Sequence, residues 1–179
     1  MLVDFPARYG TTLDDLVAGL TARKDLTEEE RRDAIAYARL LGENPSYLNS
    51  EALRTARRSD ATPEEYAHAL RRIEAARRAW PVEDLNFLKT EAMAQYRMGN
   101  ARAALETLDR SDTLLAKRAE APRAVEVAVR AMAQHALHRT GEARRTLERL
   151  RTIMQDPPEA GDVEAQAFLT EAEAVVSRR

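Results

Sequence analysis

Apolar residues return every three or four positions along most of this chain, with polar residues between them. Leu85, Leu88, Ala92 and Tyr96 follow that rule, as do Ala104, Leu105, Leu108 and then Leu115. Such spacing lays one apolar stripe along an α-helix. Near the end, Val163, Phe168, Leu169, Ala172 and Val176 form another stripe among charged residues. No alternating β-branched run of strand length occurs, so no strand is expected. The pattern predicts nine helices, at about 12–22, 27–42, 45–58, 63–79, 82–98, 101–117, 122–138, 142–155 and 162–177. About 75% or more of the chain should be helical.

Capping signals sharpen the starts. Thr27-x-x-Glu30 is a full capping box, and Thr12-x-x-Asp15 is the same box with a shorter acid. Asn44-Pro45 and Thr62-Pro63 set a cap before a proline at the first helical position. Trp80-Pro81, Ala121-Pro122 and Asp156-Pro157-Pro158 mark the ends of helices.

The helices repeat. Tyr47-Leu48-Asn49-Ser50-Glu51-Ala52 returns as Phe87-Leu88-Lys89-Thr90-Glu91-Ala92. Ala92-Met93-Ala94-Gln95-Tyr96 returns as Ala131-Met132-Ala133-Gln134-His135. The shared alanines lie 40 and 39 residues apart. Downstream, Ala104 matches Ala143 and Thr107-Leu108 matches Thr146-Leu147. A period of this size marks stacked helix pairs, none of which can bury its stripe alone. Small alanines would let helices approach, and Ile73, Leu108 and Leu147 would fill the gaps between them.

With 179 residues the chain is read as one α-solenoid domain over 1–179. Two capping helices (1–44) precede repeats at 45–81, 82–121 and 122–158, and a closing helix follows at 159–179. The formal charge of −2 gives bulk charge no preference for a polyanion. All but Lys24, Lys89 and Lys117 of the basic residues are arginine, which suits carboxylate recognition. There is no cysteine, hence no disulfide and no zinc–thiolate site. That composition suits a reducing compartment. The start, Met1-Leu2-Val3-Asp4-Phe5-Pro6, is too acidic for a leader, and no apolar run reaches membrane length. A cytoplasmic, membrane-free protein is expected.

The segment Leu85 to Ser111 resembles a tetratricopeptide (TPR) repeat. That family sets a small residue in the first helix, Gly at the turn, then Ala and a large residue in the second. Here these would be Ala92, Gly99, Ala104 and Leu108. The third copy matches at Ala131, Ala143 and Leu147, with His138 where the turn Gly would stand; the first matches at Ala52, Ala69 and Ile73. Both spacings exceed the family's period of about 34 residues. From about Leu48 to Val176 the chain looks like the C-terminal TPR tail of bacterial multidomain proteins that carry a serine/threonine kinase or a β-propeller. No kinase motif is present. The resemblance implies a right-handed TPR-like solenoid of antiparallel helix pairs that binds a protein or peptide in a concave groove lined by the first helices.

On that register the groove residues would be Asn49, Leu53 and Arg57, then Lys89, Met93, Tyr96 and Arg97, then Met132 and His135. Arg57, Lys89 and Arg97 would hold a carboxylate of an acidic segment, and the methionines would adapt to apolar side chains. The alternative is a structural or self-associating module, with its own copy as partner. Nucleic acid is a distant third, because stacking aromatics are scarce beside Arg54, Arg57, Arg58, Arg71, Arg72, Arg77 and Arg78. Those arginines read first as a solvated face balanced by Glu51, Glu64, Glu65 and Glu74. His135-x-x-His138 has chelate spacing but no third ligand, so neither metal nor cofactor is expected. No nucleophile motif or isolated carboxylate pair appears, so no catalytic residue is assigned and no enzyme is expected.

Overall fold

A computed structural model of the chain describes residues 11–177. The N-terminal stretch read above as lacking a leader lies outside these residues. The described part is all α, 78% helical and without strands. Two compact units are formed, Met1–Glu83 and Asp84–Arg179. Their boundary falls next to the expected junction of the first and second repeats, within a chain read as one domain.

In the first unit α1 (Leu13–Ala22) packs on α2 (Glu28–Leu41), and α3 (Pro45–Arg57) packs on α4 (Pro63–Ala79). The caps act as their chemistry requires. Thr27 and Thr62 accept from the backbone N–H of Glu30 and Glu65, whose carboxylates reach back to the cap N–H at 2.9 and 2.7 Å. Thr12 accepts from Asp15 N–H at 3.0 Å, but the shorter acid makes no return bond. Leu20, Ala34 and Ala38 form the core of the first pair, with Leu13, Leu16, Leu26 and Ile35 around it. In the second pair Ala52, Ala56, Ala69 and Ile73 have no exposed surface. Tyr66 donates its hydroxyl to the carbonyl of Arg58 at 2.7 Å, tying α4 to the end of α3.

The second unit holds α5 (Leu85–Arg97), α6 (Ala101–Arg118), α7 (Ala124–Ala136), α8 (Thr140–Ile153), α9 (Pro157–Ala160) and α10 (Val163–Val176). The short α9 was not expected; Asp156 followed by two prolines starts a single turn there. Helix α5 pairs with α6, and α7 pairs with α8. Helix α7 also rests on α5 and α6, and α10 rests on α7 and α8 in the same manner. The starts of α5, α7 and α10 fall at equal intervals of 39 residues. The aligned alanines and leucines of the repeat are buried: Ala92, Ala104, Ala131 and Ala143 fully, Leu108 and Leu147 almost so. On α10 the register changes character. Gln166 and Thr170 are exposed where Leu88 and Val127, Ala92 and Ala131 are buried, so α10 turns a polar side to water.

The two pairs share their turn. Helix α5 ends with Asn100 N–H on the carbonyl of Gln95 and Gly99 N–H on that of Tyr96, both at 2.9 Å. Helix α7 ends with Arg139 N–H on Gln134 and His138 N–H on His135, again at 2.9 Å. Both are Schellman closures, which need a left-handed residue after the helix. Gly99 takes it at φ 78°, and His138 takes it at φ 59° despite its side chain.

Candidate binding face

The nominated residues of the first unit lie on α3. Asn49 is buried and its Oδ1 has no hydrogen-bond partner; Leu53 is half-buried and Arg57 exposed. The arginines around them are largely engaged. Arg54 pairs with Glu51, Arg58 with Asp60 and Glu65 at 3.1 and 2.9 Å, and Arg78 with Asp14 at 3.5 Å.

In the second unit Lys89, Tyr96, Arg97 and His135 are half-buried on α5 and α7. Met93 and Met132 are not groove residues: they are 1% and 0% exposed. The reason is local crowding. Helix α7 is packed by α5, α6, α8 and α10, and α5 buries Phe87 to Ala94 apart from Lys89. The thioethers therefore fill space between helices, a role their flexible chains suit.

Arg97 also departs from expectation. Its guanidinium is held by both carboxylate oxygens of Glu171 on α10, with Nη2 on Oε2 at 2.8 Å. The Arg97 side chain is 7% exposed and that of Glu171 25%. The guanidinium carbon lies 5.8 Å from the Tyr96 ring centre and 5.5 Å from that of Phe168. Burial, helped by the Glu171 charge and opposed by Arg97, pushes the Tyr96 phenol above its ordinary pKa. Arg97 thus spans from α5 to α10 and is already matched with an acid. Glu171 and Phe168 complete this cluster, and their periodicity within a closing helix gave no sign of it.

His135 sits at the end of α7 with its Nδ1 buried and without a hydrogen-bond partner. His138 lies beyond the helix end in the left-handed region, so the two imidazoles do not share a helix face. Among the described residues no group of three or more His, Cys, Asp or Glu is placed to hold a metal ion.

Lys89 opens onto a different setting. A cleft of about 300 Å³ lies where α5 and α7 begin and α6 ends. Asp84, Leu85, Asn86, Lys89, Leu115, Arg118, Glu120, Ala121, Arg123 and Glu126 line it. Asp84 caps α5 by accepting from Asn86 N–H at 2.7 Å. Glu126 caps α7 by accepting from Arg123 N–H at 2.9 Å, and Ser111 donates to it at 3.4 Å. Burial raises the Glu126 pKa, against the pull of the Arg123 N–H, Lys89 and Ser111. Arg123 is engaged with Glu159 at 3.1 Å and Asp162 at 3.7 Å. No protein-family model, curated protein or solved structure matches the chain. No described helix is long and apolar enough to cross a membrane.

Proposed function

We propose that the chain is a protein-interaction module of the TPR kind, in which α5 and α7 present a face to a peptide or protein segment. One observation carries this reading: the hydrogen bond from Thr107 to Gln95 recurs from Thr146 to Gln134, fixing the two helix pairs in one register. Stacked pairs in register bring their first helices side by side, the arrangement helical-repeat proteins use for binding. Arg97 is engaged by Glu171, so Lys89 is the cation of that face left to meet an acidic segment. Tyr96 and His135 add amphipathic contacts beside it. The cysteine-free composition suits a cytoplasmic setting.

The test starts from a partner captured by the wild-type chain, identified by mass spectrometry and purified. Lys89→Glu should weaken its titrated affinity by about tenfold or more, since a like charge replaces an attractive one. Arg144→Glu, on the exposed side of α8, should leave it unchanged. The opposite outcome, with Arg144→Glu abolishing binding and Lys89→Glu silent, ends the first-helix assignment.

Self-association is the second reading, and the first unit favours it. Tyr37 and Leu40 on α2 are 50% and 82% exposed, and Trp80 and Val82 after α4 are 52% and 61% exposed. Sedimentation velocity over a concentration range separates the two readings: a mass that grows with concentration and is restored to monomer by Leu40→Glu supports this one.

A further inference from the structure

We propose that the cleft at the start of α5 and α7 binds a small zwitterion, a free α-amino acid with an aliphatic side chain. Some charges lining the cleft are already held inside the protein, and others are not. Asp84 and Glu126 are helix caps, and Arg123 is held by Glu159 and Asp162. Three charged side chains of the lining remain: Lys89, Arg118 and Glu120. None of them makes a side-chain hydrogen bond or ion pair among the described residues, although the Lys89 charge also acts on the nearby Glu126 carboxyl. Two cations and one carboxylate are the complement of a ligand with its own carboxylate and ammonium. The cap carboxylates of Asp84 and Glu126 at the same mouth disfavour a dianion such as phosphate. Leu85, Leu115 and Ala121 supply the apolar wall for an aliphatic side chain. A cleft of about 300 Å³ stands at the lower end of the range for small-ligand sites, which fits a single amino acid.

The backbone holds two of these groups in place. Helix α6 ends in a Schellman closure, with Glu120 N–H on the carbonyl of Leu115 at 3.0 Å and Ala119 left-handed at φ 55°. Arg118 and Glu120 flank that left-handed alanine. A non-glycine residue persists there only when its surroundings hold it.

The experiment is calorimetric titration of the full chain with L-leucine, leucine amide, N-acetyl-leucine and inorganic phosphate. L-leucine should bind below about 10 mM, and blocking either charged end should weaken it about tenfold, a difference of about 1.4 kcal/mol. Lys89→Met and Arg118→Met should each weaken leucine to a similar degree. Glu120→Gln should weaken leucine but leave N-acetyl-leucine unchanged, which isolates the ammonium contact. Helicity and the thermal midpoint of each variant serve as fold controls, because the three side chains are exposed or half-buried. No leucine heat up to about 10 mM, or equal binding by all three variants, overturns the proposal. Tighter binding of N-acetyl-leucine or phosphate than of leucine also overturns it, in favour of a plain anion site or a peptide end. Glu120→Gln and Arg118→Met keep this test apart from the partner titration, which turns on Lys89. Either reading can fail alone.

Discussion

The hydroxyl of Thr107 donates to Oε1 of Gln95 across the α5–α6 hairpin at 2.8 Å. One repeat later Thr146 does the same for Gln134 across α7–α8, at 2.7 Å. Small helices close together leave room for a short polar contact between a residue one turn from the helix end and one early in the next. The bond does two jobs at once: it satisfies an amide that is half-buried at Gln95 and buried at Gln134, and it fixes how far one helix slides along the other.

The two copies should differ in cost. Thr107 is 3% exposed, whereas Thr146 is half-buried. Thr107→Val keeps the shape but removes the donor and leaves the Gln95 carbonyl without it. A loss of about 1–3 kcal/mol is expected, the cost of an unsatisfied buried polar group. Thr146→Val should cost less: Gln134 itself is buried, but it and Thr146 line an open cleft with Glu142, Arg145 and Arg149, through which water can replace the lost hydroxyl. Urea denaturation of both variants checks the order, and equal losses would show that the hydroxyl contributes no more than its neighbours' packing.

Arg97→Ala should destabilise the fold. An exposed groove arginine would be nearly neutral, within about 0.5 kcal/mol. The bidentate pair with Glu171 changes that. Removing the guanidinium should cost about 1.5–3 kcal/mol, the range for hydrogen bonds to charged groups. The larger loss of about 3–5 kcal/mol for a fully buried pair is not expected, since Glu171 keeps a quarter of its side-chain surface in water. The measurement is the denaturation midpoint of Arg97→Ala, Glu171→Ala and the double variant. The double variant should lose less than the sum of the singles, as partners in one pair do.

His138→Gly should stabilise the chain, and Gly99→Ala should do the reverse. Both residues occupy the left-handed position of the same closure. At Gly99 an added Cβ would meet nothing within 4 Å, so only the backbone angle decides. Left-handed strain of about 1–2 kcal/mol falls on a residue with a side chain. Glycine offsets part of that relief by about 0.4–1 kcal/mol of unfolded-chain entropy. The expected gain for His138→Gly is therefore a few tenths to about 1 kcal/mol, with Gly99→Ala losing a similar amount. Thermal melts that place His138→Gly below wild type would mean that the imidazole makes a contact worth more than the strain.

Local signals and long-range ones were not equally legible. Ala52, Ala92 and Ala131 could be read as crossing points because a small residue recurring at one period has a single packing explanation, and all three are fully buried. Thr27 with Glu30 and Thr62 with Glu65 could be read because a capping box lies within four residues. Arg97 could not, since its partner stands 74 residues away on a helix whose pattern announces only an apolar stripe. Met93 and Met132 share a helix face with Tyr96 and His135, yet periodicity does not say how many neighbours crowd that face; α7 has four. The His138 conformation is set by the helix closure, and its identity alone hides it. The cleft at Lys89 joins the ends of three helices, so no contiguous motif could mark it.

Glu126→Gln should flatten one part of the stability–pH profile. Glu126 is 7% exposed, and burial raises its carboxyl pKa above the ordinary 4.5. Asp112 pushes in the same direction; the Arg123 N–H, Lys89 and Ser111 oppose it without prevailing. In the folded chain the carboxyl holds its proton to higher pH than in the unfolded chain. The folded state therefore binds more protons over the window that opens near 4.5 and closes at the raised value, and stability falls as pH rises through it. Above that window the full cost of burying the charge remains. Glutamine keeps an oxygen for the Arg123 N–H but carries no charge to bury. The variant should thus gain on wild type as pH rises above 4.5, with the change confined to the window between 4.5 and the raised value. Urea denaturation of both proteins at about pH 4, 5.5 and 7 reads the difference directly. A difference that stays constant across the three, or shrinks with rising pH, would mean that the cap hydrogen bond and the Lys89 charge outweigh burial at this carboxyl.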